Sequence, residues 1–220
     1  MKTEIIACKT IQQEVELAIQ TTGVDYPVHW LEAGLHNVSK KLHDTLQAVL
    51  DSLHCDRVLL ALGVCGNAVS GLQVRDYELI MPRVDDCVSL LLGNDKRRAI
   101  GAEKVTYFLT KGWLQGERNI WVEYNYALQK YGPKRGKMIN DLTYGKYKRL
   151  GVIETGAYDL NEILPETKKI ASEIGMEHEV IHAGIGNVCR LLQGPWDPKL
   201  YAAFPPNSEL TLEIPDANLQ

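Results

Sequence analysis

Three apolar runs in this chain each stop at or just before a cysteine, where a turn containing glycine, polar or acidic residues begins. Glu4-Ile5-Ile6-Ala7 leads to Cys8, Arg57-Val58-Leu59-Leu60-Ala61-Leu62-Gly63-Val64 leads to Cys65, and Tyr77-Glu78-Leu79-Ile80-Met81-Pro82 runs shortly upstream of Cys87. Unbroken apolar runs are what strands of a parallel sheet look like when both faces are covered by helices. Three such strands in one sheet would deliver three thiols to its carboxyl edge, where open α/β sheets bind ligands.

The remaining pattern continues in the same alternation. Thr10 with Gln13 makes a capping box ahead of Ile11, Val15, Ala18 and Ile19 at helical spacing, and Gly23 ends that segment. Val28 to Leu31 reads as a strand, and Leu42, Leu46, Val49, Leu50 and Leu53 define the stripe of a helix from Ser39. A small-residue turn after Cys65 has room for a short helix, while Asp85 and Asp86 can cap a helix running from Cys87 to Leu92. Residues 94–116 are the least regular stretch, with a strand candidate at Val105 to Leu109, and are expected to form a mobile loop over a site. Two helical patterns then flank Gly132-Pro133, a strand runs from Leu150 to Glu154, and a helix capped by Asp159 and Glu162 extends to Gly175. Strands at Val180 to His182 and Leu200 to Phe204 enclose a short helix through Leu192, and the Pro- and Asn-containing end is expected to be exposed. The fold class is therefore α/β: a mostly parallel sheet with helices on both faces, in a single domain over 1–220. Gly66-Asn67 after one strand and Gly186-Asn187 after another make a loose echo, which suggests two similar halves, 1–115 and 116–220, sharing a cleft.

With Lys+Arg 24 against Asp+Glu 28, the mildly negative chain is a poor general nucleic-acid binder. No apolar stretch approaches the roughly 20 residues needed to cross a bilayer, and the start lacks a secretory h-region. No membrane association is expected. The five cysteines are odd in number and have no close pair, which argues for a reducing cytoplasm over a secreted disulfide framework.

Taken singly, each cysteine is also explained as a small buried core residue, and the spacing contains no C-x-x-C knuckle. The coincidence of Cys8, Cys65 and Cys87 at strand ends is what argues for a metal site, of the open kind that keeps a fourth position for substrate. Thiolates suit zinc and a [4Fe-4S] cluster alike. His36 follows the second strand on the same edge and is the favoured fourth ligand, ahead of His29, His43 and His54. Beside the cysteines, Asp86 and Asn67 are candidate catalytic residues, and Gly66 lets backbone approach a bound group. Gly184 and Gly186, after a strand and before a helix, can present N–H groups to an anionic cofactor, although an ordinary tight turn explains them as well. Cys87 at a helix start is also a candidate nucleophile without any metal, because the helix dipole favours the thiolate. Asp85 and Asp86 oppose that reading unless a cation compensates them. Trp113, Trp121, Tyr124 and Tyr126 are candidate cleft-lining aromatics.

Ile6-Ala7-Cys8, Leu35-His36, Gly63-Val64-Cys65-Gly66-Asn67, Pro82-Arg83-Val84-Asp85-Asp86-Cys87 with Leu90-Leu91-Leu92-Gly93, and Leu109-Thr110-Lys111-Gly112-Trp113 together resemble the prokaryotic family called domain of unknown function 1638 (DUF1638). The resemblance implies a companion of corrinoid-dependent methyl-transfer systems in anaerobes. It carries over to Cys8, His36, Cys65, Asn67, Asp86 and Cys87, which sit in matching motifs. Leu62 stands where an aromatic residue is expected, and Asn94-Asp95-Lys96-Arg97-Arg98 departs from the usual segment.

Three functions remain open from the sequence. The first is a three-cysteine zinc or iron–sulfur protein acting on a small molecule in corrinoid or one-carbon metabolism. The second is a non-catalytic accessory that docks on a corrinoid protein or methyltransferase through the basic run Lys130 to Arg149. The third is a thiol enzyme using Cys87.

Overall fold

The computed structural model describes residues 1–211. Two sheets carry the chain. The larger is built from β1 (Thr3–Cys8), β2 (Val28–Leu31), β3 (Arg57–Ala61), β4 (Glu78–Pro82) and β8 (Tyr201–Phe204), in the order β2-β1-β3-β4-β8. The first four strands are parallel and β8 closes the edge antiparallel to β4. The smaller sheet is wholly parallel, with β5 (Thr106–Leu109), β6 (Arg149–Glu154) and β7 (Glu177–His182) in sequential order.

Burial explains why the central strands read as apolar runs. Every residue of β1 is buried, and so is all of β3 after Arg57. The edge strand β7, by contrast, buries only Ile181. Helices α1 (Gln12–Thr22), α2 (Ser39–Ser52), α3 (Cys87–Leu92), α4 (Asn94–Glu103), α5 (Lys111–Leu114), α6 (Ile120–Tyr144), α7 (Leu164–Ile174) and α8 (Gly186–Gln193) pack around these sheets. Leu42, Leu46 and Leu50 carry the buried stripe of α2, and Gly23 and Gly175 end α1 and α7 in the left-handed conformation. No described helix is long and apolar enough to cross a membrane.

Several expectations need correction. Residues 94–116 do not form a loop: they hold α4, β5 and α5. The turn after Cys65 carries no helix, and β3 already ends at Ala61. The two sheets also divide the chain otherwise than at residue 115, because β5 belongs to the second sheet and β8 returns to the first. The exposed end expected beyond residue 211 lies outside the described residues.

One clamp between the layers lies at α5. Gly112 of α5 lies so close to the loop after β1 that a Cβ there would sit 2.2 Å from the carbonyl oxygen of Lys9. The Thr110 hydroxyl donates to the Thr10 carbonyl in the same contact. Nearby, fully buried Glu14 of α1 accepts from the Thr155 hydroxyl at 3.0 Å, and its other carboxyl oxygen has no partner among the described residues.

Burial raises the Glu14 pKa above its ordinary 4.5, partly offset by hydrogen bonds from its own backbone and from Thr155. A raised folded-state pKa means this acid favours folding fully below 4.5 and loses that contribution as pH rises through the shifted value. Glu14→Gln keeps an acceptor for Thr155 without a charge to desolvate. Its stability advantage over wild type in urea titrations should therefore grow as pH rises from below 4.5 through the raised value. An advantage that is flat with pH would show that some other group titrates.

Candidate functional site

The carboxyl ends of β1, β3 and β4 meet at a cleft of about 470 Å³, bounded opposite by β5, α5 and the end of α6. Cys65 and Cys87 line it, with Gly66, Asp85, Asp86 and His36 around them. Cys8 does not line the cavity and is only 5 % exposed, but it lies near enough to buried Cys87 to affect its ionisation. Cys87 is influenced in the same way by Cys65. The three cysteines thus form a short chain of thiols from the core to the cleft wall.

This convergence needs two loops to run against each other. Val64 N donates to Val84 O at 3.0 Å and Cys65 N to Asp85 O at 2.9 Å, so the segment after β3 stays paired with the segment after β4. Gly63 makes that approach sterically allowed, since a Cβ there would lie 2.5 Å from Asp86 N and 2.6 Å from its Cα. The chain then turns sharply: Cys65, Gly66 and Asn67 all have positive φ, at 48°, 65° and 65°. For a non-glycine residue such as Cys65 that conformation costs about 1–2 kcal/mol, sustained here by the paired loops.

The thiols differ in ionisation. Hydrogen bonding from Cys87 lowers Cys8 to about 7, against the opposing effect of burial and with help from Thr10. The Cys8 thiol also lies in good geometry to donate to Thr10 Oγ1 at 3.1 Å. Contact with Cys65, then with Cys8, and burial push Cys87 well above 9.0. The expectation that a helix start would make Cys87 the reactive thiolate is therefore corrected: α3 has only six residues, and its Asp86 cap and thiol neighbours outweigh any dipole.

Asp86 is that cap, accepting from Ser89 N at 2.7 Å while its other oxygen lies 3.4 Å from Arg97. Asp85 pairs with Arg98 at 3.3 Å. Both cations come from α4, whose first residue Asn94 accepts from Asp85 N at 3.2 Å and donates to Arg83 O at 2.9 Å. The compensating charge beside the two acids is thus a pair of arginines from within the chain.

His36 lies beside this cluster with its ring 4.7 Å from Trp113. Burial lowers its pKa, opposed by Asp86, which favours the neutral imidazole that metals bind. Asn67 is exposed and does not line the cavity. Gly184 and Gly186 likewise lie outside the lining, at the start of α8, and nothing within 4 Å of a Gly184 Cβ requires glycine there. The Gly-Asn echo is not structural: Asn67 sits in a left-handed turn, whereas Asn187 lies within α8.

The opposite wall contains residues that sequence reasoning passed over. Tyr107 receives hydrogen bonds from Trp113 Nε1 at 2.7 Å and Ile120 N at 3.1 Å, and stacks edge-on to Tyr147 and Tyr144. Arg97 lies 4.0 Å over the Phe108 ring, and Arg118 lines the same space. Of the aromatic candidates, Trp113 lines the cleft while Trp121 and Tyr124 stack on each other at 5.7 Å elsewhere. Cys55 and Cys189 pack partly buried against the main core.

Chemically, three soft donors and a neutral imidazole beside a cleft are a suitable set for a thiophilic metal. They are not a finished coordination shell, because among the described residues no group of three or more His, Cys, Asp or Glu side chains is disposed to hold an ion as it stands.

The model of a family described as "Protein of unknown function (DUF1638)" matches residues 30–192. No curated protein and no solved structure matches the chain.

Because Gly63 holds the loops together, Gly63→Ala should lose about 1–3 kcal/mol in urea unfolding and expose Cys87 to a thiol reagent in the native protein. An unchanged midpoint with Cys87 still protected would show that the loops tolerate separation.

Proposed function

The chain belongs to the DUF1638 family, and from that premise we propose that Cys8, Cys65 and Cys87 hold a single thiophilic metal ion, zinc by preference, which serves a small molecule bound in the cleft. The observation that carries this reading is the convergence of the three cysteines at one sheet edge, where Cys87 lies close enough to Cys8 and Cys65 for their ionisations to depend on one another. A four-iron cluster holds its cysteines apart around its outside, so cysteines close enough to shift one another's ionisation suit one ion better. A bound zinc would supply Lewis-acid activation of a thiol, a water or a substrate atom.

The protein's own side chains have separate tasks in this proposal. The Thr10 hydroxyl, 3.1 Å from the Cys8 sulfur, would turn to donate to it once the thiol is ionised. Asp86 and Arg97 fix the start of α3 and hence Cys87. His36, neutral and packed on Trp113, is the remaining donor on the cleft side. The aromatic wall of Tyr107 and Trp113 excludes water from one side of the bound molecule. A methyl group passing to or from a corrinoid on a partner protein, as the family resemblance implies, is a transfer that zinc thiolates can support.

Protein prepared without oxygen should contain about one zinc per chain by elemental analysis, and serine in place of Cys8, Cys65 or Cys87 should weaken metal retention by more than about tenfold. Iron with sulfide and a brown colour would replace zinc by a cluster, and folded, metal-free protein from an anaerobic preparation would refute the site.

A second reading, docking on an acidic partner such as a corrinoid protein or methyltransferase, is favoured by α6. Met138 and Leu142 are 57 % and 81 % exposed there, just after Lys134, Arg135 and Lys137. Lys134→Glu combined with Lys137→Glu should abolish co-elution with such a partner at low salt while leaving metal content unchanged. Association that ignores both the charge reversal and the salt concentration would rule this surface out.

A further inference from the structure

We infer that the molecule bound in the cleft carries an oxyanion, a carboxylate or phosphate, and that Arg118 is the residue that recognises it. The inference rests on the reading of this cleft as a small-molecule site, and it names the class of molecule that site takes.

Charge balance is the first support. Asp85 pairs with Arg98 and Asp86 with Arg97, so the acids of the cleft are already matched. Arg118 has no acidic partner among the described residues, although it lines the cavity. One guanidinium is therefore left over beside an aromatic wall. Its fork of N–H groups matches the paired oxygens of a carboxylate or phosphate.

The second support is that Arg118 stands on a fixed base. Asn119 donates to the carbonyls of Trp113, Leu114 and Gly116 at 3.2, 2.7 and 3.0 Å, and accepts from Trp121 N and Val122 N to start α6. The Asn37 side chain reaches the Arg118 carbonyl at 3.4 Å, and bare Gly34 admits the Arg118 stem, which would stand 3.0 Å from a Cβ there. A surface arginine with no function needs no such footing. Here the backbone is immobilised on both sides while the charged end stays unpaired.

Arg97 adds to the same field. Its Nε is buried and has no acceptor among the described residues, so one donor of this guanidinium stays open beside its 3.4 Å contact with Asp86. The fourteen-residue α2 also begins beside Gly66 with no side-chain cap and no acid in its first turn, which leaves its positive end at this end of the cleft. Trp113 and Tyr107 offer flat surface for an apolar or planar body, and a volume of about 470 Å³ suits a small ligand.

The test uses benzoate and phenyl phosphate as oxyanion probes and benzamide as their neutral counterpart, titrated against the full-length protein with tryptophan fluorescence as readout. Benzoate or phenyl phosphate should give a saturable change that disappears in Trp113→Phe, and benzamide should bind at least about tenfold more weakly. The tighter of the two anions names the oxyanion. Arg118→Gln should weaken the anion by about tenfold or more, Arg118→Lys by less, and both variants should melt like wild type, since Arg118 is exposed. Elemental analysis of the same Arg118→Gln preparation should give the wild-type metal content, so a failed metal site and a failed anion site give different results. Equal binding of benzamide and benzoate, no saturable binding of either anion, or unchanged affinity in Arg118→Gln would each overturn the inference.

Discussion

The whole site depends on one backbone contact, the approach of Gly63 to Asp85 and Asp86. Neighbouring parallel strands lie about 4.8 Å apart, and their connections normally diverge once the strands end. Here the pairing continues past the ends of β3 and β4 through Val64–Val84 and Cys65–Asp85 hydrogen bonds, in a space that a methyl group would already overfill. That extension carries Cys65 to Cys87. Cys8 needs no comparable device, because β1 lies beside β3 in the sheet and delivers its thiol directly.

The same loops explain a combination that looks unfavourable in one dimension. Two aspartates immediately before a cysteine should oppose thiolate formation and invite an external cation. In the folded chain they are claimed internally: Asp86 caps α3, and Arg97 and Arg98 meet Asp86 and Asp85. The acids therefore stabilise a helix start and anchor α4 across the loop, which places Arg97 over Phe108 at the boundary between the two sheets. Local electrostatics and the joining of the layers are handled by the same four side chains.

The parts of this architecture legible in the sequence are those written in apolar periodicity. Central parallel strands are buried on both faces and so appear as unbroken runs, which is why β1, β3 and β4 and the cysteines at their ends could be read directly. The cap and length of α3 were equally plain, since Asp86 and Gly93 bracket it. α4 was hidden for the converse reason: none of its residues is buried, so it has no apolar stripe, and it is held by Asn94 and two arginines whose partners no periodicity reveals. The aromatic wall was hidden because Tyr107, Tyr144 and Tyr147 come from β5, α6 and the turn after it, and meet only when the second sheet packs. Arg118 gave no signal at all, as one exposed arginine resembles any other until its neighbours are known. A glycine pair after a strand signals an anion nest and an ordinary turn alike, which is how Gly184 and Gly186 entered the candidate set without lining the cleft.

The three cysteines are not equivalent, and their order matters for any chemistry at this edge. Cys8 is farthest from solvent yet is the thiol held closest to ionisation, because Cys87 and Thr10 both stabilise its negative form. Cys87 stands between and keeps its proton, since ionising it would place charge beside two other sulfurs in a buried space. Cys65 is the partly exposed member at the cleft, on a left-handed backbone that only the paired loops sustain. Charge is thus favoured at the back of the chain and access at the front. A free nucleophile would need both properties in one sulfur, whereas a cation held by all three would stabilise negative charge on each of them at once. The division of ionisation and access among three sulfurs is the strongest physical reason to read them as one site.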